Sequence, residues 1–191
     1  MLFRLLFIVL ITIVSLFAKN AESSGSRFIA QTDLDYSRVN VYRKYSFNGN
    51  GDIWIQFGRE FRFVKQRISL TPSIGLNRNG WSFVRKGRVG SISYIAPYIS
   101  AALGLHPGKA FLDIGIHYGG ATYAFGEIDG KSSTENNSYF TSFSLGLFTH
   151  VGVDFFEHYR AGVVWRHVVM DSETDPCVTL YALGGFFAYM F

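Results

Sequence analysis

Ten ionisable residues are spaced so that simple alternation would turn them to one side of a sheet: Asp33, Asp35, Glu60, Arg67, Asp113, His117, His150, Asp154, Arg160 and Arg166. Carboxylates, imidazoles and guanidinium groups that face one another in a confined space can relay protons or ions. They can equally neutralise one another as a hydrogen-bonded plug. Unpaired charge in a narrow enclosure is costly, and Asp154 and Arg160 flank a tight turn across which they would meet, so the plug is the favoured expectation. Two His beside two Asp raise the question of a metal, but no tight ligand spacing supports one. The expectation is therefore no metal, no cofactor and no catalytic residue.

A second group lies in polar segments between apolar runs. Tyr42, Arg43, Lys44 and Tyr45 fall in one such segment, and Trp81, Arg85 and Lys86 in another. Aromatic and basic side chains together suit anionic lipid headgroups or a protein partner. A third group is Pro72 and Pro97 with Tyr94 and Tyr98. Proline has no N–H for a sheet ladder. Counting outward from Phe83–Arg85 sets the two prolines roughly opposite each other on adjacent strands. Their missing donors would then weaken the seam between those strands, with the tyrosines lining a lateral opening. The alternative is that each proline sits at a bulge, or directs its missing donor to its other neighbour.

The elements that would position these residues are strands. From Arg67 to Asn77 the chain alternates strictly: Ile68, Leu70, Pro72, Ile74 and Leu76 against Arg67, Ser69, Thr71, Ser73, Gly75 and Asn77. A period of two puts these sets on opposite faces of a sheet. The pattern recurs to give eight strands, near Phe28–Tyr36, Ile53–Gly58, Arg67–Asn77, Tyr94–Leu105, Leu112–Gly119, Ser142–Asp154, Arg160–Arg166 and Val178–Phe191. Connections alternate between short (near 62–65, 107–109 and 156–158) and long (37–51, 78–88, 126–138 and 171–176). Outer-membrane barrels have this asymmetry, and an even strand count puts both termini on the periplasmic side. The inner face carries Gly58, Gly75, Gly104, Gly115 and Gly146 among others. A water-facing surface has no need of glycine, whereas a narrow lumen needs room for large neighbours. The predicted fold class is all-β: an eight-stranded antiparallel up-and-down transmembrane β-barrel.

Residues 1–18 read as a signal peptide. Arg4 precedes an apolar run from Leu5 to Phe17, with cleavage after Ala18 or as late as Ala21. The run is short for a spanning helix, which needs about 20 residues. Residues 19–191 then form the barrel domain. The lone Cys177 makes no internal disulfide. Removing Arg4 with the leader leaves 17 basic residues against 14 acidic, from the 18 and 14 of the whole chain. These charges are scattered, which argues against nucleic-acid binding.

The chain closes on Phe187, Tyr189 and Phe191. Alternating aromatics ending in Phe resemble the assembly signal of outer-membrane barrels. With the eight-strand pattern, the mature chain resembles the small-barrel class: the outer-membrane protein A transmembrane domain and the outer-membrane protein X and W families. That resemblance implies a monomer in the bacterial outer membrane, in contact with lipid, lipopolysaccharide and the assembly machinery, with a host or surface partner left open. His167 shares the lipid-facing position of the catalytic His in lipid A deacylases. Those enzymes carry Ser two residues later, where this chain has Val169. The expected role is thus non-enzymatic: a barrel with a largely filled lumen and contact-making loops. A narrow conduit for small or apolar solutes and a lipid A-modifying enzyme are the alternatives.

Overall fold

The computed structural model describes residues 25–41, 45–49, 51–85, 88–120, 123–128, 131–133, 143–170 and 178–191. Its strands are β1 (Ser26–Val41), β2 (Tyr45–Gly49), β3 (Asp52–Phe63), β4 (Ile68–Arg85), β5 (Arg88–Leu105), β6 (Ala110–Gly120), β7 (Tyr123–Ile128), β8 (Lys131–Ser133), β9 (Phe143–Phe155), β10 (Tyr159–Met170) and β11 (Val178–Met190). Eight of these form the barrel wall, in the order β1-β3-β4-β5-β6-β9-β10-β11, each antiparallel to its neighbours. The wall closes where β11 pairs back onto β1, from Ile29 opposite Met190 to Val41 opposite Val178. Closure leaves the described wall without a free strand edge, the condition for backbone to sit in lipid. This is the eight-stranded antiparallel barrel expected from the alternation.

The strands are long because the alternation runs through the wall without interruption. β3 alternates buried and exposed from Asp52 to Glu60. The outer face bears an exposed aliphatic residue on every wall strand: Leu34, Ile55, Ile74, Leu103, Ile114, Leu147, Val163 and Leu183. A continuous apolar band outside and polar side chains inside invert the arrangement of a soluble barrel, and lipid is the solvent that accommodates it.

Three short connections lie at one end, at 64–67, 106–109 and 156–158. Both described ends of the chain lie there too, since Phe28 and Phe191 exchange backbone hydrogen bonds at 2.8 and 3.0 Å. At the opposite end the strands outrun the lengths read from the sequence. β4 and β5 continue past the expected loop at 78–88 to pair Arg85 with Arg88. β2 sits on the mouth, paired with both β1 and β4, and β7 and β8 make a hairpin there. Hydrogen bonding extends the ladder where the outward side chains stop being apolar, so hydropathy alone ended these strands early.

The prolines correct one expectation. Pro72 lies opposite Ala101 and Pro97 opposite Leu76, so they are offset by four residues along the β4–β5 seam. That seam is paired without a break from Ile68–Leu105 to Arg85–Arg88. The Pro72 carbonyl faces Gly58 of β3, and the Pro97 carbonyl faces Gly119 of β6. N–H and C=O of one strand residue point to the same neighbour. The missing donors therefore face β3 and β6. There the β3–β4 ladder skips Arg59 and Glu60, and the β5–β6 ladder stops at Tyr98–Gly119. No lateral opening forms between β4 and β5.

Candidate functional site: the barrel lumen

Alternation turns Asp33, Asp35, Glu60, Asp113, His117, His150, Arg160 and Arg166 inward, all buried, and Asp154 inward at the short-turn end, half-buried. They separate into two layers.

The lower layer, at the short-turn end, centres on Arg160 of β10. Its Nε donates to Asp154 Oδ1 at 2.7 Å, its Nη2 to Glu60 Oε1 at 2.9 Å and its Nη1 to Asp113 Oδ2 at 3.4 Å. Arg27 and Arg62 complete the layer. Each donates through Nε to Glu60 Oε2 at 2.7 Å, and through Nη2 to Asp154 Oδ2 at 3.1 and 2.9 Å respectively. Three guanidinium groups thus meet three carboxylates, and shared hydrogen bonds offset the desolvation that a single buried pair would not. Arg160 also lies 4.1 Å over the Phe111 ring. His106 borders the layer, its Nε2 3.7 Å from Glu60 Oε1 and 2.7 Å from the Ser69 hydroxyl.

The upper layer centres on Arg166, also on β10. It pairs with Asp33, and its Nε donates to Asp35 Oδ2 at 2.8 Å. Its guanidinium sits 4.2 Å over Trp54 and 5.5 Å from the Phe148 ring. Asp33 further accepts Gln31 Nε2 at 2.7 Å and lies 3.3 Å from His150 Nε2.

Rings fill the space around and between the layers. His117 lies 5.0 Å from Trp54 and 5.9 Å from Tyr98. Phe148 contacts His150 at 5.0 Å, His150 contacts Phe186 at 4.7 Å, and Phe186 contacts Phe111 at 5.8 Å. Two glycines make this filling possible. Gly146, opposite His117, carries the imidazole directly over its Cα, and Gly115, opposite Phe148, carries that ring. A cavity beside Arg160, lined by Gln31, Gln56, His150 and others, has room for about one water molecule.

Arg67 is the exception among the sequence candidates. The chain reverses through Val64, Lys65 and Gln66 in left-handed backbone, so Arg67 closes this turn and is exposed, outside the lumen. Conversely, Arg27, Arg62 and His106 are lumen residues that the strand limits excluded. Each falls on the inward parity of its strand beyond the limit drawn, by one residue for Arg27 and His106 and by four for Arg62, so extending the alternation finds them. Tyr94 and Tyr98 are buried inside the barrel, not beside an opening. Tyr42, Arg43, Lys44 and Lys86 lie outside the described residues, as do the side chains of Tyr45, Trp81 and Arg85. Among the described residues no three His, Cys, Asp or Glu side chains gather to hold a metal.

On the outside, Phe187, Tyr189 and Phe191 are exposed. They stack into an aromatic collar at the short-turn end: Tyr189 with Phe191 at 5.8 Å, Phe28 with Phe191 at 5.9 Å and Tyr159 with Phe187 at 5.7 Å. Near the other end His167 stacks on Tyr181 at 4.5 Å and 13°.

No protein-family model and no curated protein matches the sequence. The fold does match solved structures. Neisserial surface protein A superposes with a TM-score of 0.64 at 15% identity, over 87% of this chain and 99% of that one. Ail, the attachment invasion locus protein of Yersinia pestis, superposes with a TM-score of 0.50 at 15% identity, over 88% and 99%. The chain therefore has the fold of the small eight-stranded outer-membrane β-barrels.

Proposed function

We propose that the chain is a non-enzymatic integral outer-membrane protein whose lumen is sealed and whose loop end is its working surface. The observation that carries this reading is the pair of ion-paired layers around Arg160 and Arg166, joined by packed rings. A solute path would require those layers to part. Breaking a buried guanidinium–carboxylate contact costs about 3–5 kcal/mol, so an open state is scarce at equilibrium.

Location and orientation follow the same logic. The apolar outer band needs lipid, and the termini share an end with the short turns, which in outer-membrane barrels is the periplasmic end. Residues 1–18 serve as the export leader and are removed. The collar of Phe187, Tyr189 and Phe191 is the feature read by the assembly machinery. The barrel works as a monomer, its closed wall having no strand edge to offer a second copy.

Tyr42, Arg43, Lys44, Tyr45, Trp81, Arg85 and Lys86 supply the contacts at the loop end, with lipopolysaccharide phosphates or a surface partner as their target. Catalysis at His167 has little support: its ring packs flat on Tyr181, and Val169 holds the position that a serine nucleophile would need.

The test is paired. Liposomes carrying the folded protein should release an entrapped sugar no faster than protein-free liposomes; rapid release would sink the sealed-lumen reading. Folded protein should bind lipopolysaccharide vesicles at least tenfold more tightly than a variant with Arg43, Lys44, Arg85 and Lys86 changed to Ala. Equal binding would remove the loops from the account.

A further inference from the structure

The lumen is balanced in charge at one end and not at the other. In the lower layer Arg27, Arg62 and Arg160 face Glu60, Asp113 and Asp154. In the upper lumen Asp33, Asp35 and Asp52 are all buried, and among the described residues Arg166 alone answers them. The carboxyl groups here outnumber the guanidinium groups by two.

The excess is localised at the mouth. Asp35 of β1 pairs in register with Asp52 of β3. Continuing the β3–β4 register, in which Ile53 faces Arg78, sets Asn79 beside Asp52, with Asn77 one inward position below. These four residues are 4%, 1%, 1% and 3% exposed. Asp52 Oδ1 accepts the Gly80 amide at 3.2 Å, but its Oδ2 has no partner. Asp35 Oδ2 is taken by Arg166, and its Oδ1 has no partner. Asn79 donates its Nδ2 to Tyr94 at 2.6 Å, leaving its Oδ1 without a partner, and Asn77 Oδ1 has none either. Apart from the Ser37 hydroxyl beside Asp52, these four buried oxygens on three adjacent strands are acceptors lacking a donor. A buried unsatisfied polar atom costs about 1–3 kcal/mol, more if charged. Several together call for a common partner rather than four separate explanations.

We propose that Asp35, Asp52, Asn77 and Asn79 form a binding site for a divalent cation of the calcium type. The donor set is entirely hard oxygen, with no sulfur or nitrogen ligand, which disfavours zinc and copper. Metal binding deprotonates its carboxylate ligands, so Asp35 and Asp52 would bring two negative charges to a divalent ion. Calcium accepts six to eight oxygens at about 2.3–2.6 Å in irregular geometry. The Ser37 hydroxyl, alongside Asp52, is a further oxygen within the site. Magnesium keeps several waters in strict octahedral order and suits this irregular set of protein oxygens less well. An ion here ties β1, β3 and β4 together at the mouth, where β2 also bridges β1 and β4. It adds to the sealed-lumen reading a ligand site beneath the loops.

The test uses the full mature chain folded in detergent micelles, with Tb³⁺ as the calcium probe. Trp54 lies two residues from Asp52 on the same inner face, about 7 Å along the strand, close enough to sensitise bound Tb³⁺. Tryptophan excitation should give Tb³⁺ luminescence that Ca²⁺ displaces, and Ca²⁺ should raise the unfolding temperature over that in EDTA. Asp52→Asn should weaken Tb³⁺ binding at least tenfold. It should also raise the unfolding temperature in EDTA, because it removes an uncompensated charge. Asn77→Leu, which removes an oxygen without changing charge, should weaken binding as well, and Glu157→Gln in the far turn should change neither readout. Absence of sensitised luminescence and of a Ca²⁺-dependent shift in the unaltered protein overturns the proposal. So does affinity that survives both Asp52→Asn and Asn77→Leu, since the ion would then be bound at the surface.

Discussion

The Arg166 guanidinium lies 4.2 Å over the indole of Trp54, while the same side chain ion-pairs with Asp33 and Asp35. One residue therefore pairs with two buried carboxylates and caps an aromatic ring. Arg166→Ala should destabilise the folded barrel by about 3–5 kcal/mol, because it leaves both carboxylates buried and uncompensated. Arg166→Lys should recover only part of this, since an ammonium lacks the planar fork and the stacking face. Denaturant titration, followed by the gel shift between folded and boiled protein, measures both.

A second expectation concerns the contact of His117 with Gly146. The imidazole occupies the space that a Cβ would need. Gly146→Val should therefore displace His117 against Trp54 and Tyr98 and cost about 1–3 kcal/mol, the usual penalty of overpacking. In a His117→Ala background the same substitution should cost much less. Equal costs in both backgrounds would show that the contact does not set the packing.

The aromatic collar makes a biogenesis prediction. Deleting Phe191 removes a ring that stacks with Tyr189 and Phe28. The truncated chain should still be exported but should accumulate less in the outer membrane, as measured by fractionation. Normal accumulation would mean that Phe191 is not part of the assembly signal.

The turn between β9 and β10 carries Phe156 and Glu157 at φ of 47° and 62°. Left-handed backbone costs an ordinary residue about 1–2 kcal/mol, and glycine tolerates it at some cost in chain entropy. Glu157→Gly should raise stability by up to about 1 kcal/mol in a denaturant titration.

What the sequence made legible follows from what alternation can encode. Ile68–Asn77 alternates so regularly that faces, strand existence and inner polarity could be read directly. The inward set at Asp33, Asp35, Glu60, Asp113, His117, His150, Asp154, Arg160 and Arg166 came from the same signal. Register did not, because a period of two is unchanged by any even shift. Moving Pro97 four residues along β4 leaves every side chain on its face, so Pro72 and Pro97 were aligned where Ala101 and Leu76 are the true partners. Strand limits were the other weak point. Arg27 and Arg62 look like flanking charges until the ladder is seen to reach them, while Arg67 looks inward until the left-handed turn at Val64–Gln66 takes it out. The paired oxygen cluster at Asp35, Asp52 and Asn79 depends on the registers of three strands and was invisible for the same reason.

Current through single molecules in a planar lipid bilayer decides whether the Arg160 and Arg166 layers seal the lumen of a membrane-spanning barrel. Insertion should be verified on the same preparation by strand-dominated circular dichroism and heat-modifiable gel mobility. The inserted, folded protein should give no stepwise conductance in concentrated KCl, and Arg166→Ala should change this little because Arg160, Glu60 and Asp154 still close the lower layer. Discrete, reproducible conductance steps from the unaltered folded protein would contradict it.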